Sequence, residues 1–127
     1  EGIRLTIATE GAELCGDREK LVQIWLQLIE NAAKYMGDQK HPAIDIGVEQ
    51  SNQEMVFYVR DNGMGIEQPY QGKIFGLFDK LDKTAAGTGM GLTLVQRIVD
   101  YYGGTLRVES EGLGKGSCFY FTLPGTR

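Results

Sequence analysis

Residues 44–49 read IDIGVE, which places Ile44, Ile46 and Val48 on one side of an extended chain and Asp45, Gly47 and Glu49 on the other. A strand with one apolar and one polar face belongs to a sheet that is covered on one side and wet on the other. SNQ then supplies a turn, and residues 54–60, EMVFYVR, read as a more buried partner strand. Working outward, IRLTIA at 3–8 alternates as an opening strand. Two closing strands, 104–110 and 117–123, flank a glycine-rich hairpin, EGLGKG. A first helix starts at Asp17, whose carboxylate suits an N-cap, and runs to about Met36 before stopping near Gly37. A second helix covers about 90–102. Residues 67–86 lack a steady period and read as a long loop with a short helix around KIFGLF. The order β-α-β-β-(loop)-α-β-β predicts an α+β fold: a two-layer α/β sandwich, one mixed and mostly antiparallel sheet with helices on a single face.

The chain has 127 residues, which suits one domain with its own core. A formal net charge of -4 without a Lys/Arg cluster argues against a nucleic-acid surface. No apolar run approaches the ~20 residues of a membrane span, and no signal-peptide pattern opens the chain. Cys15 and Cys118 lie far apart without metal-ligand spacing, as expected of two reduced thiols in a cytoplasmic domain. Most of the 18 glycines fall in three clusters, at 63–65, 87–91 and 103–116.

Three stretches carry chemistry. On the first helix, Leu21, Ile24, Trp25, Leu28 and Ala32 share a stripe, while Gln27, Asn31 and Lys34 fall together at roughly 220–280° from Leu21, at the edge of that stripe. A solvated face would give the same line, although a mid-helix asparagine is not chosen for propensity. DNGMGI (61–66) follows a buried strand and leads into no further strand. A hairpin turn is one reading of it. The other places the Asp61 carboxylate toward an amino group in a pocket, with Gly63 and Gly65 letting a flat ligand approach the backbone. GTGMGL (87–92) sits directly before a helix, whose free N–H groups can receive phosphate oxygens. A glycine hinge beside a mobile loop reads the same way. It is neither a dinucleotide fingerprint nor a Walker A loop. GLGKGS at 112–117 mimics the latter but precedes a strand, so no phosphate role is expected of it.

The order of these stretches resembles the catalytic, ATP-binding domain of bacterial sensor histidine kinases, within the GHKL superfamily of ATPases and kinases. The resemblance spans essentially the whole chain. QLIENAAKY (27–35) looks like the N box, DNGMGI the G1 box, KIFGLFDKL (73–81) the F box and GTGMGL the G2 box. It implies the Bergerat-type ATP-binding fold, with ATP and Mg²⁺ as cofactors. Asn31 would hold Mg²⁺, Lys34 would offset phosphate charge, and Tyr35 would lie near the nucleotide. Asp61 would read the exocyclic amine of adenine, with Gly63, Gly65 and Ile66 as the adjoining wall. Gly87, Thr88, Gly89, Met90, Gly91 and Leu92 would close the phosphate side. Residues 67–86 would form a lid anchored by Phe75 and Phe78, and Lys80 would end the F box.

Two positions depart from the family pattern. Gln27 stands where related ATPases carry a glutamate that activates water, and an amide is no general base. Lys80 stands where many members have arginine, keeping the charge but losing the two-pronged contact. The resemblance implies a protein-histidine kinase of a two-component phosphorelay. Its γ-phosphate would pass to a histidine on a separate dimerisation domain, and from there to a response regulator receiver domain. His41, the only histidine, lies in a loop and is not expected to be the acceptor. The chain is thus expected to be a fragment of a larger kinase. It would be monomeric alone and cytoplasmic without direct membrane contact, although the parent could be membrane-anchored. A GHKL-type ATPase and an inactive nucleotide-binding module are the alternatives; Gln27 weighs against the first, and intact Asn31, Asp61 and G2 glycines against the second.

Overall fold

The computed structural model of the chain describes residues 4–8, 16–51, 54–65 and 91–124. Its elements are β1 (Arg4–Ala8), α1 (Arg18–Lys34), β2 (Ala43–Ser51), β3 (Glu54–Asp61), α2 (Gly91–Tyr101), β4 (Leu106–Glu109) and β5 (Ser117–Phe121). The strands form one sheet in the order β1-β2-β3-β5-β4. Only the β1–β2 pair is parallel; the other three are antiparallel. A parallel pair needs a long crossover, and α1 supplies it. Residues 67–86, where a lid and a short helix were expected, with Phe75, Phe78 and Lys80, lie outside the described residues, as do Ile66 and positions 87–90.

The Asp17 carboxylate starts α1 as expected, accepting the Glu19 and Lys20 amides at 3.0 and 3.4 Å. Ile24, Leu28 and Ala32, spaced by four residues, are buried against the sheet. The helix ends before Gly37, which takes φ 73. At the far end of α2, Gly104 N–H bonds Val99 C=O at 2.9 Å and Gly103 N–H bonds Asp100 C=O at 3.0 Å, with Gly103 at φ 74. This nested pair is the Schellman termination, and it turns the chain back into β4.

The register puts Ile44, Ile46 and Val48 beside Asp61, Val59 and Phe57, and these beside Ser117, Phe119 and Phe121. One sheet face therefore carries the core, which α1 and α2 cover with Ile24, Leu28, Leu92, Val95 and Val99. Trp25 meets Phe57 and Phe121 edge-on at 5.9 and 5.1 Å between centroids, a favoured aromatic geometry. Tyr102 joins the two helices, its hydroxyl accepting the Asp17 amide at 2.8 Å.

The other face carries Asp45, Glu49, Tyr58, Arg60, Arg107 and Tyr120. Arg60 lies over the Tyr58 ring at 4.7 Å and Arg107 over Tyr120 at 4.0 Å, within cation–π range. One expectation needs refinement here. Gly47 faces this side but is buried, because the Tyr58 ring lies across it, where any Cβ would collide with the ring.

Candidate nucleotide site

Asp61 is the last residue of β3. Strand alternation carries it to the helix-covered face, where it is only 8% exposed. Its Oδ1 accepts the Gly63 amide at 2.8 Å and its Oδ2 accepts the Ser117 hydroxyl at 3.0 Å. A carboxylate offers about four acceptor positions, so acceptor capacity remains for an incoming donor. Burial pushes the Asp61 carboxyl above its ordinary value, and the Gly63 and Ser117 hydrogen bonds pull it back only in part.

The turn after Asp61 is gripped from three directions. Asn62 does not form a simple hairpin turn; its side chain accepts the Ala43 amide and donates to the His41 carbonyl, both at 2.9 Å. This fixes the entry to β2. Met64 N–H bonds the Tyr35 carbonyl at 3.1 Å at the end of α1. A Cβ on Gly63 would meet Tyr35 O at 2.7 Å and Met36 Cα at 2.9 Å, so the turn and the helix end touch backbone to backbone. On the third side, Gly114 and Gly116 amides bond the Met64 and Gly63 carbonyls at 2.6 and 3.2 Å.

That grip brings the end of α1 to the Asp61 turn. Asn31, one turn earlier, is 9% exposed. Among the described residues no group pairs with its side-chain amide. A buried amide without a partner awaits one, and its neutral oxygen suits a hard ion such as Mg²⁺ that keeps waters and phosphate oxygens. Among the described residues no cluster of three His, Cys, Asp or Glu exists. Gln27, half-buried, donates to Gln23 Oε1 at 3.3 Å, and exposed Lys34 lies 5.9 Å from the Tyr35 ring centroid.

Two residues change standing. Leu92, grouped above with the phosphate-side glycines, is 1% exposed within the hydrophobic core; an apolar side chain so enclosed shapes the site through packing alone. Ser117 was not singled out from sequence, yet it holds one Asp61 oxygen. Its signal was the 112–117 glycine cluster, set aside above as a phosphate-loop mimic. The structure agrees that this stretch precedes a strand, and it adds a place beside Asp61. An open groove of about 610 Å³ adjoins the site, lined by Asp61, Asn62 and Ser117 together with Asp45, Arg60 and Tyr120 among others. It mixes charges of both signs. Cys118 there is free and buried, and burial raises its thiol pKa.

Comparison with known proteins agrees with this geometry. The family described as histidine kinase-, DNA gyrase B- and HSP90-like ATPase matches residues 16–127. The methanogenesis regulatory histidine kinase FilI of Methanothrix harundinacea is 42% identical over 97% of this chain, which spans 14% of that protein. The adaptive-response sensory kinase SasA of Prochlorococcus marinus is 36% identical over 97% of the chain, which spans 32% of it. Among solved structures, full-length ShkA in complex with AMPPNP superposes with a TM-score of 0.78 at 28% identity, covering 97% of this chain and 26% of that one. The mycobacterial sensor histidine kinase MprB superposes with a TM-score of 0.79 at 24% identity, covering 98% and 84%, and so speaks for the fold. The chain belongs to the histidine kinase-, DNA gyrase B- and HSP90-like ATPase family, as a catalytic ATP-binding domain of the histidine kinase type.

Proposed function

We propose that this domain binds Mg-ATP with adenine against Asp61 and passes the γ-phosphoryl group to a histidine on a separate dimerisation domain, in two-component signalling. The observation that carries the reading is the buried Asp61 carboxylate, held at both oxygens yet keeping acceptor capacity. An exocyclic amine uses that capacity, whereas the 6-oxo group of guanine would set acceptor against acceptor. Gly63, Gly65 and Ile66 would line the base, with Tyr35 close by. Asn31 would hold Mg²⁺ and Lys34 would face the phosphates. Gly87, Thr88, Gly89, Met90 and Gly91 would receive phosphate oxygens ahead of α2, and Phe75, Phe78 and Lys80 would belong to the lid.

Phosphoryl transfer is mostly positioning and charge stabilisation. A histidine ring nitrogen attacks the γ-phosphorus as the bond to the bridging oxygen of ADP breaks; a phosphoramidate forms and the ring proton is lost. When bound, Mg²⁺ supplies charge neutralisation on the phosphate oxygens. Gln27 has no carboxylate to activate a competing water, which supports transfer over hydrolysis. Among the described residues no helix is long and apolar enough to cross a membrane; the domain would work in the cytoplasm, with a receiver domain as downstream partner.

The test mixes the chain, Mg-ATP and a histidine-bearing dimerisation domain supplied in trans. Acid-labile, base-stable phosphate on that domain is the expected product. Rapid free-phosphate release without transfer would replace the reading by an ATPase, and tight ATP binding with neither product by an inactive module.

A further inference from the structure

The β4–β5 connection, residues 110–116, makes no contact that its hairpin role requires with the turn after β3, yet the two are locked together. Gly114 and Gly116 amides bond consecutive carbonyls of that turn, Met64 and Gly63. A Cβ on Gly65 would collide with the Gly112 carbonyl, and one on Gly116 with the Asp61 carbonyl. The two backbones therefore meet with no room for a methyl group between them. Both ends of this clamp bear on Asp61. Gly63, whose carbonyl takes the Gly116 amide, gives its own amide to Oδ1. Ser117, the residue after Gly116, gives its hydroxyl to Oδ2.

Something must hold the loop in the shape that presents those amides, since Gly112, Gly114 and Gly116 all have positive φ and little intrinsic preference. Ser110 does so. Its hydroxyl donates to the Gly116 carbonyl at 2.6 Å and accepts the Gly112 amide at 3.2 Å, closing the loop across its neck. Lys115 N–H to Gly112 C=O at 3.1 Å forms the turn at its tip. Ser110 bonds Gly112 and Gly116 rather than Asp61, and so bears on the carboxylate through the loop.

We propose that Ser110 is a positioning residue for base selection: by closing the 110–116 loop it fixes where the Asp61 oxygens stand, and so sets the preference for a 6-amino over a 6-oxo purine. The proposal rests on the assignment of Asp61 to the adenine amine. A displaced acceptor weakens one hydrogen bond to the base and leaves phosphate contacts alone, so the effect belongs in a ratio of affinities.

The experiment titrates the chain calorimetrically with ADP and with IDP, which share phosphates and sugar and differ at the 6-position. Wild type favours ADP. Ser110→Ala lowers that preference about five- to tenfold, mainly by weakening ADP, and Ser110→Thr, which keeps the hydroxyl, restores it. Ser110→Cys, with its weaker donor, gives an intermediate ratio and serves as the readout should the alanine variant not fold. If Asp61→Asn keeps the wild-type preference, the adenine assignment falls and the proposal with it. If Asp61→Asn loses the preference while the Ser110 variants keep it, or weaken ADP and IDP equally, the proposal alone is overturned.

Discussion

Replacing Asp61 by asparagine should move stability and binding in opposite directions. The amide oxygen can still accept the Gly63 amide, now at 2.8 Å from Oδ1, and the new NH₂ can donate to the Ser117 hydroxyl, which rotates to accept. The side chain is of the same size, so packing is kept. What disappears is a carboxylate that is 8% exposed and whose pKa burial has raised. A raised carboxyl pKa means the folded state holds the proton more tightly than the unfolded one. Its stabilising contribution is complete below the unfolded value and is lost as pH rises through the folded value. Near neutral pH the wild type therefore folds around an ion it would rather neutralise, and Asp61→Asn should be as stable or more so. The advantage should shrink as pH falls through the raised Asp61 pKa.

Binding goes the other way, because the amine loses a charged acceptor. A hydrogen bond to a charged group contributes about 1.5–3 kcal/mol, so the Kd for ADP should rise roughly 10- to 150-fold. In the wild type, ADP affinity should also fall as pH drops through the Asp61 pKa, and this component should be missing in the variant. Urea unfolding at several pH values, paired with calorimetric titration of ADP, measures both arms. A stability loss above about 1 kcal/mol would show that the asparagine does not reproduce the local bonds. Unchanged ADP affinity would refute the role given to Asp61.

Three further outcomes can be checked. Gly114→Ala and Gly116→Ala both place an L-residue at positive φ, which costs about 1 kcal/mol, but only Gly116 has backbone against its Cβ position; the unfolding free energy from urea titration should fall by about 1 kcal/mol for the first and by about 3 kcal/mol or more for the second, and equal losses would deny the clamp. Gly47→Ala should destabilise the wild type by pushing the Tyr58 ring aside, yet be neutral or stabilising by up to about 1 kcal/mol in a Tyr58→Ala background, where a strand alanine outperforms glycine; a double-mutant cycle with zero coupling would remove the contact. Gln27→Glu should raise free-phosphate release from Mg-ATP at least severalfold if a missing base limits hydrolysis, and a flat rate in a phosphate-release assay would assign the limit elsewhere.

How far the sequence could be read varied with the range of the interaction. IDIGVE announced a half-covered sheet because side-chain alternation is a local rule, and the structure keeps Ile44 and Ile46 buried. Asp17 was legible as a cap for the same reason. The family motifs drew Asn31 and Asp61 into one reading, and the structure adds what no motif states: both are buried, and the end of α1 is bonded to the Asp61 turn. Gly47 was misjudged as wet because its cover, Tyr58, comes from the next strand. Ser117 and the 110–116 loop were missed because their partner lies more than fifty positions away, |i−j|=56 for Ser117 and Asp61, and nothing in a hairpin's own sequence tells which distant turn it will touch.

That separation has a consequence for how the domain comes into being. β5 follows every other described strand in the chain, yet it lies inside the sheet, between β3 and β4. On a ribosome, β1, α1, β2 and β3 emerge with the flank of β3 still bare, and Asp61 at its end lacks the hydroxyl that will hold it. Only when Ser117–Phe121 slides into that slot does the carboxylate acquire its second anchor. Assembly of the Asp61 turn thus waits on the last strand, and a chain that stops short of Ser117 would leave that carboxylate without its second anchor.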